Sequence, residues 1–253
     1  MGILNLTPDS FSDGGQFLDK DVAFKHIEQM IKDGADIIDI GAESSRPGSQ
    51  SITAEEEIRR LKGVLLDYKK HFSTPLALDT TKADVAEFGL SLGVDLINDI
   101  SGFRMDPKLS GVVAKYRVPV VLVHMRGTPQ TMQQNPAYKD VVSEVMAELA
   151  QSIEIAKSHG ISDIIIDPGI GFGKTAHHNF TLIHRLKEFQ WLKFPILIGT
   201  SRKSFLGGDI TDRLEATLAS TVLAVYNGAA IVRVHDVNAV KKAVAVVDAM
   251  RHV

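Results

Sequence analysis

Residues 160–175 read GISDIIIDPGIGFGKT. Three consecutive isoleucines, Ile164–Ile166, follow a glycine and stop at Asp167-Pro168-Gly169. β-branched residues at successive positions suit a strand that is buried on both faces, as in a parallel sheet covered by helices. The Gly-Lys-Thr close invites a phosphate-loop reading. That pattern requires a glycine five positions ahead of Gly173, where Pro168 stands. Proline has no N–H for a phosphate and holds φ near −65°. Gly169, Gly171 and Gly173 alternate, so the dinucleotide spacing G-x-G-x-x-G is missed as well. The stretch therefore reads as a buried strand, a polar end at Asp167 and a glycine turn into a helix.

The same unit recurs. GADIIDI, GVDLIND and GAAIVRVH begin at Gly34, Gly93 and Gly228. Each glycine is placed to close the preceding helix in a left-handed conformation. Each is followed by an apolar run with a polar end. Eight such runs are expected: Gly2–Leu4, Ile37–Ile40, Leu76–Leu78, Leu96–Ile97, Val118–Val123, Ile164–Ile166, Ile196–Ile198 and Ala230–Val234. Amphipathic stretches lie between them. Thr53–Phe72 opens on Thr53 and Glu56, the pattern of a capping box. Within Ala137–His159, Val141, Val145, Leu149, Ile153 and Ala156 form a helical stripe. Strand and helix alternating eight times predict an α/β fold, a single-domain (β/α)8 TIM barrel over residues 1–253, with eight parallel strands and outer helices.

Composition narrows the function. The chain is 44% hydrophobic and 23% charged, with net charge −3 and no cysteine. Disulfides and thiolate metal sites are excluded. No dense basic stretch argues for nucleic acid. No run of eighteen apolar residues argues for a membrane span, and no signal peptide is visible. The expectation is a cytoplasmic protein.

In a TIM barrel the active site gathers at the C-terminal strand ends. The polar residues there are Asn5, Glu43 to Arg46, Asp79, Asn98, His124, Asp167, Thr200 to Lys203, and Arg233 with His235. One polar strand end is an ordinary solvent cap; eight in one ring point to a polar pocket. Asp79, Asn98 and Asp167 supply acceptors, which suit a flat heterocycle with N–H edges. Arg46, Lys203, Arg233 and His235 supply donors and positive charge, which suit a phosphorylated tail. Two loops, residues 5–17 and 43–53, are rich in Ser, Asp, Gly and Pro. They are expected to be mobile lids at the barrel mouth.

Seven segments, MGILNLTPDSFSDGG, ESSRPG, LDTTKADV, LINDISG, DPGIGFGK, GTSRKSF and VRVHDV, resemble in order the motifs of the dihydropteroate synthase family. The resemblance spans nearly the whole chain. It implies condensation of 6-hydroxymethyl-7,8-dihydropterin diphosphate with 4-aminobenzoate, releasing pyrophosphate, in folate biosynthesis, a step inhibited by sulfonamides. It implies that Ser45, Asp79, Asn98, Asp167, Lys203 and Arg233 bind the pterin, with Arg233 stacked on its face. Asn5, Arg233 and His235 would take the diphosphate, with Asn5 also on Mg²⁺. Phe11, Arg46, Pro47, Lys203 and Ser204 would enclose the aminobenzoate, Ser204 acting at a helix N-terminus. Asp13, Arg46, Lys203, Arg233 and His235 would carry catalysis. A homodimer is implied too.

Two departures stand out. Ser45 replaces an expected threonine and keeps its hydroxyl. The chain starts directly in the first strand, where members carry several preceding residues. The rival readings are a pterin-dependent methyltransferase and a non-catalytic barrel. The first has no need of SRKS and RVH; the second predicts loss of Asn5, Lys203, Arg233 or His235, and all four are present.

Overall fold

The computed structural model describes residues 1–7 and 20–251. Among the described residues, eight strands alternate with eight α-helices. The strands are β1 (Gly2–Asn5), β2 (Ile38–Gly41), β3 (Leu76–Asp79), β4 (Leu96–Asp99), β5 (Val120–Val123), β6 (Ile164–Asp167), β7 (Leu197–Ile198) and β8 (Ile231–Val232). The helices are α1 (Lys20–Lys32), α2 (Ala54–His71), α3 (Ala83–Ser91), α4 (Leu109–Tyr116), α5 (Val141–Ser158), α6 (Ala176–His184), α7 (Leu214–Tyr226) and α8 (Val237–Arg251). Strands β1 to β6 pair in parallel in chain order, and β7 pairs with β8. Single parallel bridges, Ile166 to Ile196 and Gly2 to Val234, join the two pieces on both sides. The Val234 N–H donates to the Met1 carbonyl at 3.0 Å and the Ile3 N–H to the Val234 carbonyl at 3.0 Å. The ring is thus closed, with the short β7 and β8 as its weakest staves.

Side chains alternate between two cores, because strand residues point to opposite faces in turn. Ala77, Leu96, Val121, Val123 and Leu197 pack inside the barrel with Met1 and Met125. Their neighbours Leu78, Ile97, Leu122, Ile166 and Ile198 face the helices. On α5 the whole stripe Val141, Val145, Leu149, Ile153 and Ala156 is buried. Each such aliphatic side chain contributes about 1.5–3 kcal/mol by leaving water. The helix starts at Val141, four residues later than expected, because Asp140 caps it by accepting from the Ser143 N–H.

Gly34, Gly93, Gly160 and Gly228 all have positive φ, between 77° and 107°. The repeat therefore marks real helix-to-strand turns. The capping box at α2 is only half made. Thr53 accepts from the Glu56 N–H, but the Glu56 carboxylate is drawn to Arg59 and Arg60 at 2.7 Å instead. The reciprocal box forms at α6, between Thr175 and His178.

Candidate functional site

The inward residues at the C-terminal strand ends form one polar layer. Asp79, Asn98 and Asp167 occupy it as expected, on β3, β4 and β6. Gly41, paired with Asp79 across β2 and β3, makes room for that carboxylate: a Cβ on Gly41 would lie 3.2 Å from Asp79 Cβ.

Asp39, in the middle of β2, belongs to the same layer and was not anticipated. Its side chain is wholly buried. Arg233 donates through Nε to Asp39 at 2.5 Å and through Nη2 to Asp79 at 2.8 Å. Asn98 Nδ2 donates to Asp39 at 3.3 Å. The sequence did contain a signal: an aspartate inside the apolar run IIDI, two residues from the inward Ile37. A charge at a double-buried strand position needs a partner, and Arg233 is that partner. Held by its edges, the guanidinium keeps its faces available for stacking on a flat ring.

Two buried acceptors in this layer, Asn98 Oδ1 and Asp39 Oδ1, lack hydrogen-bond partners. An unpaired buried acceptor costs roughly 1–3 kcal/mol, so a ligand donor placed there recovers that amount. Asp167 is buried, and one of its oxygens accepts from the Gly169 N–H at 2.7 Å. Burial pushes the Asp79 and Asp167 carboxyls up, against the pull of Arg233 on Asp79 and of Lys203 on Asp167.

Lys203 follows β7. Its ammonium donates to the Ile170 carbonyl and lies 4.7 Å above the Phe172 ring. Burial pushes it down to about 8, against the attraction of Asp167. His235, after β8, lies 3.0 Å through Nδ1 from Ser201 Oγ. Burial, then the positive charges of Arg233 and Arg202, push its ring down to about 4. It is therefore neutral at pH 7, and its expected positive charge requires a bound anion.

Asn5 ends β1, half-buried, in register with Gly41 of β2. Among the described residues no three His, Cys, Asp or Glu side chains cluster as metal ligands. An amide oxygen at a strand end suits Mg²⁺ as a protein ligand, because the ion takes few of them and completes its shell from substrate oxygens and water.

The loop 43–53 is more tightly tied than its composition suggests. Glu43 accepts from the Ile52 N–H at 2.8 Å and from Lys82 at 2.7 Å, and the Gly48 N–H donates to the Pro129 carbonyl at 2.8 Å. Arg46 and Pro47 are exposed on it. Ser45 lines a cavity of about 140 Å³ with Asp79, Thr80, Ile100, Thr128 and Pro129. Asn98, Asp167, Lys203 and Arg233 do not line that cavity. Phe11 and Asp13 lie outside the described residues.

Two local expectations are corrected. Ser204 begins a three-residue 3₁₀ turn, Ser204–Leu206, and α7 starts only at Leu214. Gly207, at φ 78°, ends the turn, so Ser204 has no helix dipole behind it. His124, counted in the ring of strand ends, points outward. It is out of phase with the inward Val123 and Met125, and its Nε2 meets Glu148 of α5 at 3.0 Å.

A closed barrel with buried acid, amide and cation groups at its mouth defines a small-molecule site for a polar, flat ligand. Residues 1–235 match the family model described as pterin binding enzyme. The chain belongs to this pterin-binding enzyme family. It is 47% identical over 244 residues to a dihydropteroate synthase of Clostridium beijerinckii, covering 94% of this chain and 88% of that protein. Its fold matches a dihydropteroate synthase structure from Clostridium difficile in the presence of pteroic acid. The TM-score is 0.93 at 43% identity, over 98% of this chain and 95% of the other. It also matches a sulfonamide complex of the Yersinia pestis enzyme, with a TM-score of 0.95 at 39% identity, over 100% and 94%.

Proposed function

We infer that the protein condenses 6-hydroxymethyl-7,8-dihydropterin diphosphate with 4-aminobenzoate, giving 7,8-dihydropteroate and pyrophosphate, the dihydropteroate synthase reaction. The observation that carries the reading is the buried acceptor layer Asp39, Asp79, Asn98 and Asp167 with Arg233 paired into it, in which Asn98 Oδ1 and Asp39 Oδ1 await N–H donors. The related structures, one obtained in the presence of pteroic acid and one a sulfonamide complex, support it.

The pterin lies in this layer. Asp167 accepts from its amino and ring N–H edge, Asn98 exchanges a donor and an acceptor, and Lys203 donates to a ring acceptor. Ser45 and Asp79 border the same ring. Arg233 stacks on its face. The diphosphate lies toward Asn5, Arg233 and His235. In the reaction the methylene C–O bond breaks, its electron pair leaves with the diphosphate, and the aniline nitrogen bonds the methylene and loses a proton. Arylamines are weak nucleophiles, so stabilising the leaving group is the main task. Arg233 does this with charge. His235 donates a hydrogen bond, and an anion beside it raises its pKa. The residues fit Mg²⁺ with Asn5 as its protein ligand; when bound, the ion neutralises negative charge on the diphosphate oxygens. Arg46, Pro47, Lys203 and Ser204 enclose the aminobenzoate; the family resemblance adds Phe11 to that pocket and Asp13 as negative charge toward the methylene, both outside the described residues. Sulfonamides compete in that pocket.

Exposed apolar residues on the outer helices, Leu223 and Tyr226 on α7 and Val246 and Met250 on α8, support a homodimer. No described helix is long and apolar enough to cross a membrane, and the reading places the enzyme in the cytoplasm with its soluble substrates. The test is product formation. With both substrates and Mg²⁺, mass spectrometry should detect dihydropteroate, and omitting aminobenzoate should abolish it. Consumption of the pterin diphosphate without dihydropteroate would overturn the reading.

A further inference from the structure

The lysine of the glycine run, Lys174, has no part in the reaction as described, yet it is one of the most deeply buried ionisable side chains among the described residues, 3% exposed. Its Nζ lies 2.8 Å from His124 Nδ1 and donates to the Phe172 carbonyl at 3.0 Å. His124 Nε2 lies 3.0 Å from Glu148 Oε2. Glu148 is in turn held by Arg126 at 2.9 Å and Arg104 at 3.1 Å. A carboxylate only accepts, so His124 carries its proton on Nε2 and offers the Nδ1 lone pair to Lys174. Burial pushes the His124 ring down to about 3, which keeps that lone pair free. The chain Glu148, His124, Lys174 thus runs from α5, past the end of β5, to the β6–α6 turn.

That turn links Asp167 of the acceptor layer to Lys203. At its start, the Gly169 N–H binds Asp167 at 2.7 Å. At its centre, the Ile170 carbonyl accepts from Lys203, and the Phe172 ring lies beneath the same ammonium. The turn presses on β5: a Cβ on Gly169 would come 1.8 Å from the His124 carbonyl oxygen. The turn has other ties, from the Gly171 N–H to Asn179 Oδ1 at 2.8 Å and from Gln133 Nε2 to the Gly171 carbonyl at 2.7 Å, but it is Lys174 that links the Phe172 carbonyl to His124, the residue after β5.

We propose that Lys174 is a positioning residue for pterin binding: anchored on His124 and on the Phe172 carbonyl, it fixes the 168–173 turn and so the placing of Lys203 relative to Asp167. This rests on the reading of Asp167 and Lys203 as pterin ligands. A lysine that merely filled a hole would contribute to stability alone. A positioning lysine sets pterin affinity.

Lys174→Met keeps length and approximate volume and removes the donors. Its affinity for 6-hydroxymethyl-7,8-dihydropterin, by calorimetry, should fall about tenfold, the equivalent of one hydrogen bond. Its KM for the pterin diphosphate should rise more than its kcat falls. Lys203→Met is the control. If Lys203→Met loses pterin affinity and Lys174→Met does not, the proposal is overturned and the pterin reading stands. If neither variant loses affinity, the pterin reading of Lys203 itself has failed, and the proposal with it. Should Lys174→Met not fold, two histidine variants decide. His124→Asn places an amide oxygen near Nδ1 and keeps an acceptor for Lys174. His124→Gln reaches the Nε2 position and keeps the Glu148 link, leaving Lys174 at that residue only the long contact to the backbone carbonyl at 3.4 Å. The proposal requires His124→Gln to bind the pterin about tenfold more weakly than His124→Asn; equal affinities overturn it.

Discussion

At the scale of single residues, the site works by leaving acceptors buried and cations partly desolvated. Asp167 is the plainest test. Asparagine keeps its shape but replaces one acceptor oxygen with a donor end, which cannot accept the second N–H of the pterin edge. Asp167→Asn should cost about 2–4 kcal/mol in pterin affinity with the fold intact; unchanged affinity by calorimetry would reduce Asp167 to a strand cap. Lys203 gives a pH test. Burial holds it at about 8, so it is charged below that pH and neutral above it. kcat/KM for the pterin diphosphate should therefore fall as pH rises through about 8, and Lys203→Met should lose that alkaline limb. A profile with the same limb in both would assign it elsewhere. Most of these groups were legible in the sequence because each ends an apolar run. Asp39 was not, because it sits inside one; the pairing that makes it tolerable, with Arg233, spans 194 positions along the chain. His124 was misread for a related reason. Ending a strand does not settle which face a residue takes; the period of two does, and it turns His124 toward α5.

At the scale of elements, loops differ in how firmly they are tied. The β6–α6 turn is tightly constrained at Gly169. Gly169 has φ 69° and no space for a Cβ, so Gly169→Ala should destabilise the protein by at least about 1–3 kcal/mol and weaken pterin binding through Asp167. A melting temperature equal to the parent's would contradict the packing described. The loop 43–53 is anchored at its base by Glu43 and at Gly48, yet presents Arg46 outward. Arg46→Ala should accordingly reduce turnover far more than pterin affinity; equal losses would move Arg46 into the pterin site. Loop composition announced the loop but not its anchors, since the partners Lys82 and Pro129 come from other βα units. The 3₁₀ turn at Ser204 was equally hidden: Gly207 and Gly208 were in plain view, but a short turn and a first helical turn share their local pattern.

At the scale of the whole molecule, eight strand–helix units were readable from the apolar runs, four of them led by a glycine, and a closed barrel was their expected arrangement; the residue pairs that close it were not readable, because Gly2 and Val234 lie at opposite ends of the chain. Closure is what brings Arg233 of the last unit against Asp39 and Asp79 of the second and third. The groups proposed to hold the pterin, Asp79, Asn98 and Asp167, stand on strands, and Arg46 and Pro47, proposed for the aminobenzoate, stand on the loop 43–53. Binding should therefore be ordered, with aminobenzoate affinity rising by roughly 1–3 kcal/mol once pyrophosphate, Mg²⁺ and a pterin are present; calorimetric titration with and without them checks this, and equal affinities would remove the ordered scheme. The central claim is that this barrel mouth joins the pterin methylene to the arylamine with diphosphate leaving. Pyrophosphate release, followed continuously in the presence of Mg²⁺ and the pterin diphosphate, tests it most directly. The account predicts release that begins on addition of 4-aminobenzoate and is abolished in Asp167→Asn at the same substrate concentrations. Release independent of aminobenzoate, or undiminished in Asp167→Asn, would contradict it.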